Sequence, residues 1–193
     1  MFSQGYRPGS LAGRGLAPEE LAALRPGLVY VSLSAFGHSG PWAGRRGFDT
    51  VVQTVSGMTT RQAEIVPGKT EGPQFYPVSA IDYCTGYLMA FGAMIALARR
   101  AEEGGSWLVR ISLAQVGKWM ADLGEVPTAS LAHVPAEFGE AELDSWSTVS
   151  QTPSGPLRHL KPVVQMSETQ PFWVRPSVPL GYHRPAWPAR GAA

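Results

Sequence analysis

A long apolar stripe at helical spacing, between Ser79 and Arg100, is the feature that most constrains the fold of this chain. Spacing of this kind predicts one long helix with a wide apolar face, which the pair Gly104-Gly105 ends. Other elements must cover part of that face, so the rest of the chain is expected to fold around this helix. The residues of the stripe are Tyr83, Tyr87, Leu88, Phe91, Met94, Ile95 and Ala98.

Strand and helix patterns alternate on both sides of the long helix. The runs Leu28–Ser34 and Trp107–Leu113 are rich in apolar and β-branched residues, which predicts strands. Helical spacing is found in Pro18–Leu24, Asp49–Met58 and Ala114–Leu123. An alternation of this kind indicates the α/β class.

The remaining segments are predicted to be loops, because glycine and proline interrupt them. They are Phe2–Leu16, Ala35–Gly47, residues 64–78 and most of the chain after Gly124, where Leu160–Met166 and Val174–Leu180 are candidate edge strands. The loop after Ser34 follows the carboxyl end of a predicted strand, where α/β proteins tend to bind ligands. We therefore expect a core segment over residues 1–124 and a loop-rich segment over 125–193 that packs back on it.

The composition excludes several classes of protein. Of the 193 residues 44% are hydrophobic and 16% charged, and the net charge is +1, which is typical of a globular domain without a nucleic-acid or membrane partner. The single cysteine cannot form an internal disulfide and no apolar signal segment opens the chain, so we expect a cytoplasmic protein. The absence of asparagine and the excess of arginine, 13 against 3 lysines, suggest a GC-rich bacterial genome.

Several short motifs lack the residues that their function requires. The segment PGKT at 67–70 resembles the end of a phosphate-binding loop, but Ala63 stands where the first glycine belongs. The segment GHSG at 37–40 is followed by Pro41, where a hydrolase elbow needs glycine. The four histidines show no metal-ligand spacing, so no metal site is predicted. Cys84 lies on the apolar face of the long helix and is expected to be a buried structural thiol.

Asp82 lies in the first turn of the long helix, and its position has an ordinary structural explanation. An aspartate in the first turn of a helix stabilises the helix dipole and can accept hydrogen bonds from free N–H groups, which contributes about 0.5–1 kcal/mol. The local pattern alone favours this structural explanation.

A series of motifs in one order relates the chain to a known family. YRPGSLAGRGL begins at Tyr6, LVYVSLSAFGHSGPWAGRRGFD runs from Leu28 to Asp49, and PVSAIDYCTGYLMAFGAMIALARR from Pro77 to Arg100. Together they resemble the family III (class III) CoA-transferases, the superfamily of formyl-CoA and carnitine CoA-transferases. The resemblance covers about residues 4–115, and RHLKPVVQMSETQPFWVRPSVPLG is similar to the ending of some larger bacterial members.

The resemblance implies transfer of CoA from an acyl-CoA to a carboxylic acid. Asp82 matches the family's catalytic aspartate, which would form a covalent aspartyl intermediate. Tyr6, Arg46 and Phe48 match positions at which relatives contact CoA. The CoA thioester is a substrate, and no permanently bound cofactor and no metal are implied. The fold implied is part of the family's large α/β domain.

The chain also departs from the family pattern. Gly5-Tyr6 replaces asparagine and phenylalanine, and the family's N-terminal nucleotide-binding portion and small central domain have no counterpart in it. The resemblance therefore implies the C-terminal half of an enzyme, completed by a homodimer or by a complementing N-terminal half. Two alternatives remain: an enzyme similar to an α-methylacyl-CoA racemase, in which Phe48 replaces the expected catalytic histidine, and a non-catalytic remnant or one subunit of a split enzyme.

Overall fold

The computed structural model describes residues 1–66, 71–135 and 137–186. It divides the chain into two compact units, Met1–Ala132 and His133–Ala193. The first unit contains strands β1 (Phe2–Gln4), β2 (Val29–Ser34) and β3 (Trp107–Ser112) with helices α1 (Pro18–Leu24), α2 (Asp49–Val55), α3 (Met58–Ile65), α4 (Ala80–Glu103) and α5 (Leu113–Asp122). The second contains helix α6 (Glu140–Trp146) and strands β4 (Ser147–Thr152) and β5 (Gly155–Leu160). Short 3-10 helices cover Ala12–Arg14 and Thr128–Leu131.

A parallel sheet organises the first unit. In the described part of the chain its order is β1-β2-β3, with Tyr30 of β2 opposite Phe2 on one side and Leu108 on the other. Val29 and Val31 lie two positions apart on β2, so they face the same side of the sheet, where they pack against Ala93 and Ala96 of α4. Small residues on α4 therefore allow the helix to approach the sheet closely.

A second core lies at the carboxyl end of the sheet. Ala35, Val52, Met58, Ile81, Leu113 and Val116 form a buried cluster that joins α2, α3, α4 and α5. The backbone N–H of Ala114 donates to the carbonyl of Ala35 at 2.9 Å, which ties the start of α5 to the end of β2. This cluster holds the first turn of α4 in place against the sheet edge.

The sequence predicted most elements of the first unit. The structure confirms the α/β class, α1 with its predicted bounds, both predicted strands and the long helix, which continues to Glu103. Two predictions were wrong. Phe2–Gln4 is a strand and not part of a loop, and Asp49–Met58 is not one helix because Gly57, with φ of 82°, separates α2 from α3.

The second unit differs more from the prediction. An antiparallel hairpin pairs β4 with β5, with Thr152 opposite Gly155 at the turn. Neither Leu160–Met166 nor Val174–Leu180 is an edge strand, since β5 ends at Leu160 and residues 161–186 contain no helix or strand. The first unit extends past residue 124, because Arg61 pairs with Glu125 and Thr128 donates to the carbonyl of Ile65. The packing of the second segment on the core stays a prediction.

One face of α4 is left open. Its exposed apolar side chains are Tyr83, Tyr87, Phe91, Met94 and Ile95. By length and composition α4 could cross a membrane, a criterion that core helices of soluble proteins also meet. In this structure the opposite face of α4 packs on β2 and β3, as expected of a helix that covers a sheet.

Candidate functional site

A cleft of about 290 Å³ lies at the carboxyl edge of the parallel sheet. Gly5, Ala35 and Leu113 each follow the last residue of a strand and line this cleft. Ligands of open α/β sheets bind at this edge, because the loops that leave the strands converge there. The other lining residues are Tyr6, Arg7, Pro8, Leu33, Ser34, Arg45, Arg46, Gly47, Phe48 and Asp82.

The structure brings all four predicted site residues to this one cleft. Tyr6 comes from the loop after β1, Arg46 and Phe48 from the loop before α2, and Asp82 from the first turn of α4. Sequence analysis missed Arg7 and Arg45, which also line the cleft. Arg7, Arg45 and Arg46 thus give the cleft three guanidinium groups, a type of group that binds phosphate or carboxylate oxygens in pairs.

The loop between Ala35 and Phe48 is held against the sheet by close contacts. A Cβ atom at Gly47 would lie 2.9 Å from the Cβ of Ala35 and 3.1 Å from the ring of Phe36, so this position requires glycine. The Arg45 guanidinium lies over the Trp42 ring at 4.5 Å, and Phe36 packs edge-on against the same ring. These contacts fix the segment that carries Arg46 and Phe48 into the cleft.

Asp82 lies where the cleft meets the start of α4. Its side chain is exposed on the cleft side, while the protein behind it includes the fully buried Ile81. Partial desolvation, and then the negative charge of nearby Asp49, raise the pKa of Asp82 above its ordinary value. Among the described residues, no group donates a hydrogen bond to the Asp82 carboxyl.

Asp49, and not Asp82, satisfies a free N–H group at the start of α4. The Asp49 side chain is 2% exposed, and its Oδ2 accepts a hydrogen bond from the backbone N–H of Asp82 at 3.0 Å. Its Oδ1 accepts from Nε2 of Gln53, whose Oε1 accepts the backbone N–H of Tyr76 at 3.1 Å. The capping explanation for the Asp82 side chain is therefore not supported by these contacts. One feature of the sequence could have indicated this arrangement. Asp49 and Gln53 are polar residues at i,i+4 spacing, on what proves to be the buried face of α2.

A second, wider cleft continues from Asp82 along the open face of α4. It has a volume of about 770 Å³, and its wall includes Val78, Tyr83, Tyr87 and Ala90. Asp82 lines both clefts, so its carboxyl lies between a wall with arginines and a largely apolar wall. Such a boundary suits a ligand with a charged end and a less polar end.

Neither His38 nor Cys84, which sequence analysis set aside, lines the cleft. His38 and Arg110 line an adjoining cavity, which shares Tyr6, Arg7 and Ser34 among other residues with the cleft. Desolvation, followed by the charge of Arg110, lowers the pKa of His38. Cys84 is partly buried against the second core, as a structural thiol would be. The segment 67–70 lies outside the described residues. Within the described ranges, no group of His, Cys, Asp and Glu side chains could hold a metal ion.

Curated relatives match part of the chain. A probable fatty acyl-CoA transferase of Mycobacterium tuberculosis, Rv3272, is 33% identical over 113 residues, which are 58% of this chain and 28% of the relative. The succinyl-CoA:glutarate CoA-transferase of Homo sapiens is 29% identical over 152 residues, 77% of this chain and 31% of the relative. The chain thus spans about a third of the length of these relatives.

Solved structures and a family model agree with these relatives. The crystal structure of Rv3272 from M. tuberculosis has a TM-score of 0.55 and 32% identity, and covers 63% of this chain and 34% of that chain. A CaiB/BaiF family protein from Brucella suis has a TM-score of 0.53 and 25% identity, with coverage of 80% and 40%. The model of CoA-transferase family III matches residues 1–148. The chain therefore belongs to CoA-transferase family III.

Proposed function

We propose that the protein transfers CoA from an acyl-CoA thioester to a carboxylic acid, with Asp82 as the nucleophile. The observation that carries the proposal is the position of Asp82, whose carboxyl accepts no hydrogen bond from the described residues and opens on the arginine-lined cleft. Succinyl-CoA:glutarate CoA-transferase and acetyl-CoA:oxalate CoA-transferase are among the named relatives, and both names describe exchange between a thioester and a carboxylic acid.

The proposed reaction divides one difficult exchange into steps that share a covalent intermediate. An oxygen of Asp82 attacks the thioester carbonyl, which forms a mixed anhydride and expels the CoA thiolate. The thiolate then attacks Cγ of Asp82, so an aspartyl-CoA thioester forms and the donor acid leaves as its carboxylate. An acceptor carboxylate attacks Cγ in turn, and the expelled thiolate attacks the new acyl carbonyl. The products are a new acyl-CoA and the free Asp82 carboxylate, with no net transfer of a proton.

The other cleft residues would bind the two ends of the thioester. We propose that Arg46, with Tyr6 and Phe48 beside it, contacts CoA, since a guanidinium suits phosphate and an exposed aromatic ring offers apolar contact. The Phe48 side chain is 76% exposed and has no polar group, so its contact with CoA would be apolar. Asp82 ionises to act as a nucleophile, so attack should become faster as the pH rises through its raised pKa.

The same geometry argues against a racemase. A racemase needs an acid–base pair that moves a proton at the α-carbon, and phenylalanine at position 48 cannot do so. Among the described residues, no histidine lines the cleft with Asp82, and His38 lines the cavity that adjoins it. Incubation of the protein with 2-methylacyl-CoA in deuterium oxide should give no exchange at the α-carbon. Exchange that is lost in Asp82→Asn would favour the racemase.

A covalent adduct at Asp82 is the direct test of the transferase. The protein is incubated with acetyl-CoA, succinyl-CoA or octanoyl-CoA, and hydroxylamine then converts an activated carboxyl to a hydroxamate that peptide mass spectrometry can locate. We expect the hydroxamate on Asp82 and none in Asp82→Asn. Asp122→Asn is the matched control, because Asp122 pairs with Lys118 on the surface of α5. Absence of an adduct with every thioester would favour the other alternative, a non-catalytic remnant or one subunit of a split enzyme.

A further inference from the structure

Three hydrogen bonds among Asp49, Gln53, Tyr76 and Asp82 form a buried contact between α2 and the start of α4. In each of them the chemistry of the groups determines which one donates and which one accepts. The backbone N–H of Tyr76 can only donate, so Gln53 must present Oε1 to Tyr76 and Nε2 to Asp49. The backbone N–H of Asp82 can also only donate, so the second oxygen of Asp49 must accept it. Both neighbours of the Asp49 side chain are therefore donors, and a carboxylate accepts from both.

The side chains of this contact are shielded from water. Asp49 is 2% exposed and Gln53 is 1% exposed, so neither can exchange its partners for solvent at little cost. The contact ends on the backbone of Asp82, whose own side chain opens on the cleft. Movement of the Asp49 carboxylate would consequently shift the first turn of α4 and the Asp82 carboxyl with it.

We propose that Asp49 is a positioning residue, which holds the backbone of Asp82 so that the Asp82 carboxyl lies at the cleft in a fixed orientation. The inference rests on the proposed function in one respect, because it takes Asp82 to be the nucleophile. Asp49 itself does not contact the thioester. Gln53 orients the Asp49 side chain through its hydrogen bond, so it contributes to the same positioning of Asp82.

Replacement of Asp49 by asparagine breaks one hydrogen bond of the contact. The Asn side chain has one acceptor and one donor group, so it can serve Asp82 or Gln53 but leaves two donors facing each other. A second change, Gln53→Glu, resolves this conflict. In Asp49→Asn/Gln53→Glu, Tyr76 donates to the new glutamate, the new asparagine donates to it as well, and Asp82 donates to the asparagine oxygen. The hydrogen bonds are restored while the negative charge moves one side chain farther from Asp82.

The test compares these two variants with the wild type and with Asp122→Asn. Three quantities are measured on the full chain: the rate of hydroxamate formation at Asp82 with acetyl-CoA across pH, the pKa of Asp82 by carbon-13 NMR of labelled aspartate, and the melting temperature. The amide signal of Asp82 reports its hydrogen bond directly. The groups near Asp82 that could affect its titration are Asp49 from α2, Tyr6 and Arg7 from the loop after β1, Arg45 and Arg46 from the loop before α2, and Tyr83 from α4.

We expect Asp49→Asn to form the adduct roughly tenfold more slowly, to lower the pKa of Asp82 and to shift its amide signal. The double variant should recover the adduct rate to within about threefold of the wild type. A purely structural role predicts a lower melting temperature for Asp49→Asn with an unchanged adduct rate, and that result would overturn the inference. Recovery of the melting temperature in the double variant without recovery of the rate would overturn it as well.

Failure of the proposed function is distinguishable from failure of the inference. If the wild type forms no adduct, Asp82 is not the nucleophile under these conditions and the proposed function fails. The NMR measurements still decide whether Asp49 positions Asp82. An Asp82 amide signal that changes in Asp49→Asn and returns in the double variant supports the inference, and a signal that is the same in all three proteins contradicts it.

Discussion

Two glycines on α4 provide a direct test of how this helix packs on the sheet. A Cβ atom at Gly92 would lie 2.8 Å from Cγ1 of Val109 on β3, whereas a Cβ at Gly86 would meet no atom within 4 Å. Both glycines lie in the interior of a helix of 24 residues, so alanine improves the local helix propensity at both. The two substitutions therefore differ in one respect, the contact with Val109.

The magnitudes predict opposite signs. Gly→Ala inside a helix stabilises by about 0.5–1 kcal/mol, so Gly86→Ala should raise the melting temperature by roughly 1–4 °C. Gly92→Ala gains the same amount but overpacks the helix–sheet contact, which costs about 1–3 kcal/mol. Val109 cannot relieve the clash cheaply, because β-branched side chains have few rotamers and its second methyl also faces position 92 at 4.0 Å. We expect a net destabilisation of up to about 2 kcal/mol.

Urea unfolding of four proteins measures the effect: Gly86→Ala, Gly92→Ala, Val109→Ala and the double variant Gly92→Ala/Val109→Ala. Removal of the Val109 methyls makes room for the new Cβ, so the double variant should be more stable than the sum of the single effects by about 1–3 kcal/mol. Equal stability of Gly86→Ala and Gly92→Ala, together with additive effects in the double variant, would show that α4 does not lie this close to β3.

Three further predictions concern the core, the site and the open helix face. Ile81→Ala should cost about 2–4 kcal/mol in urea unfolding because Ile81 is fully buried, while Leu24→Ala, at 79% exposure, should stay within about 0.5 kcal/mol. The raised pKa of Asp82 means that its ionisation opposes folding, so Asp82→Asn should melt higher than wild type above that pKa and no higher at pH 3; a lower melting temperature at pH 7 would contradict this. Tyr87→Lys and Met94→Lys should each reduce binding of a dye for apolar surface without loss of stability, and unchanged dye fluorescence would place the dye elsewhere.

Local patterns predicted the parts of the fold whose signals lie within one segment. Pro18 at the first turn with Glu19 and Glu20 behind it predicted α1 with its correct bounds. The long stripe on α4 predicted the central helix for the same reason. The cleft could be anticipated because loops that follow parallel strands meet at one edge, and the resemblance to the family supplied Tyr6, Arg46, Phe48 and Asp82 within it.

Contacts between distant segments could not be predicted in this way. Strand β1 has three residues, and it is a strand only because Phe2 pairs with Tyr30 across the sheet. The hydrogen bond from Asp82 to Asp49 joins residues 33 positions apart, and no local pattern specifies it. In the second unit, Pro156 argued against a strand at the position of β5, because proline is rare within strands. The hairpin nevertheless accommodates Pro156 opposite Gln151.

The contact between Asp49 and Asp82 also bears on whether the Asp82 side chain caps its own helix. A capping aspartate accepts N–H groups of its own helix, so its carboxyl has a lowered pKa and its loss costs about 0.5–2 kcal/mol. In this structure Asp49 accepts that N–H, and its charge helps to raise the pKa of Asp82. The Asp82 carboxyl therefore opposes folding when it is ionised, which is the opposite of what a capping carboxyl does. A higher melting temperature of Asp82→Asn than of the wild type at neutral pH would exclude the cap, a lower one would restore it, and only the adduct at Asp82 tests the nucleophile. Asp49→Ala should show the loss of stability that a cap predicts.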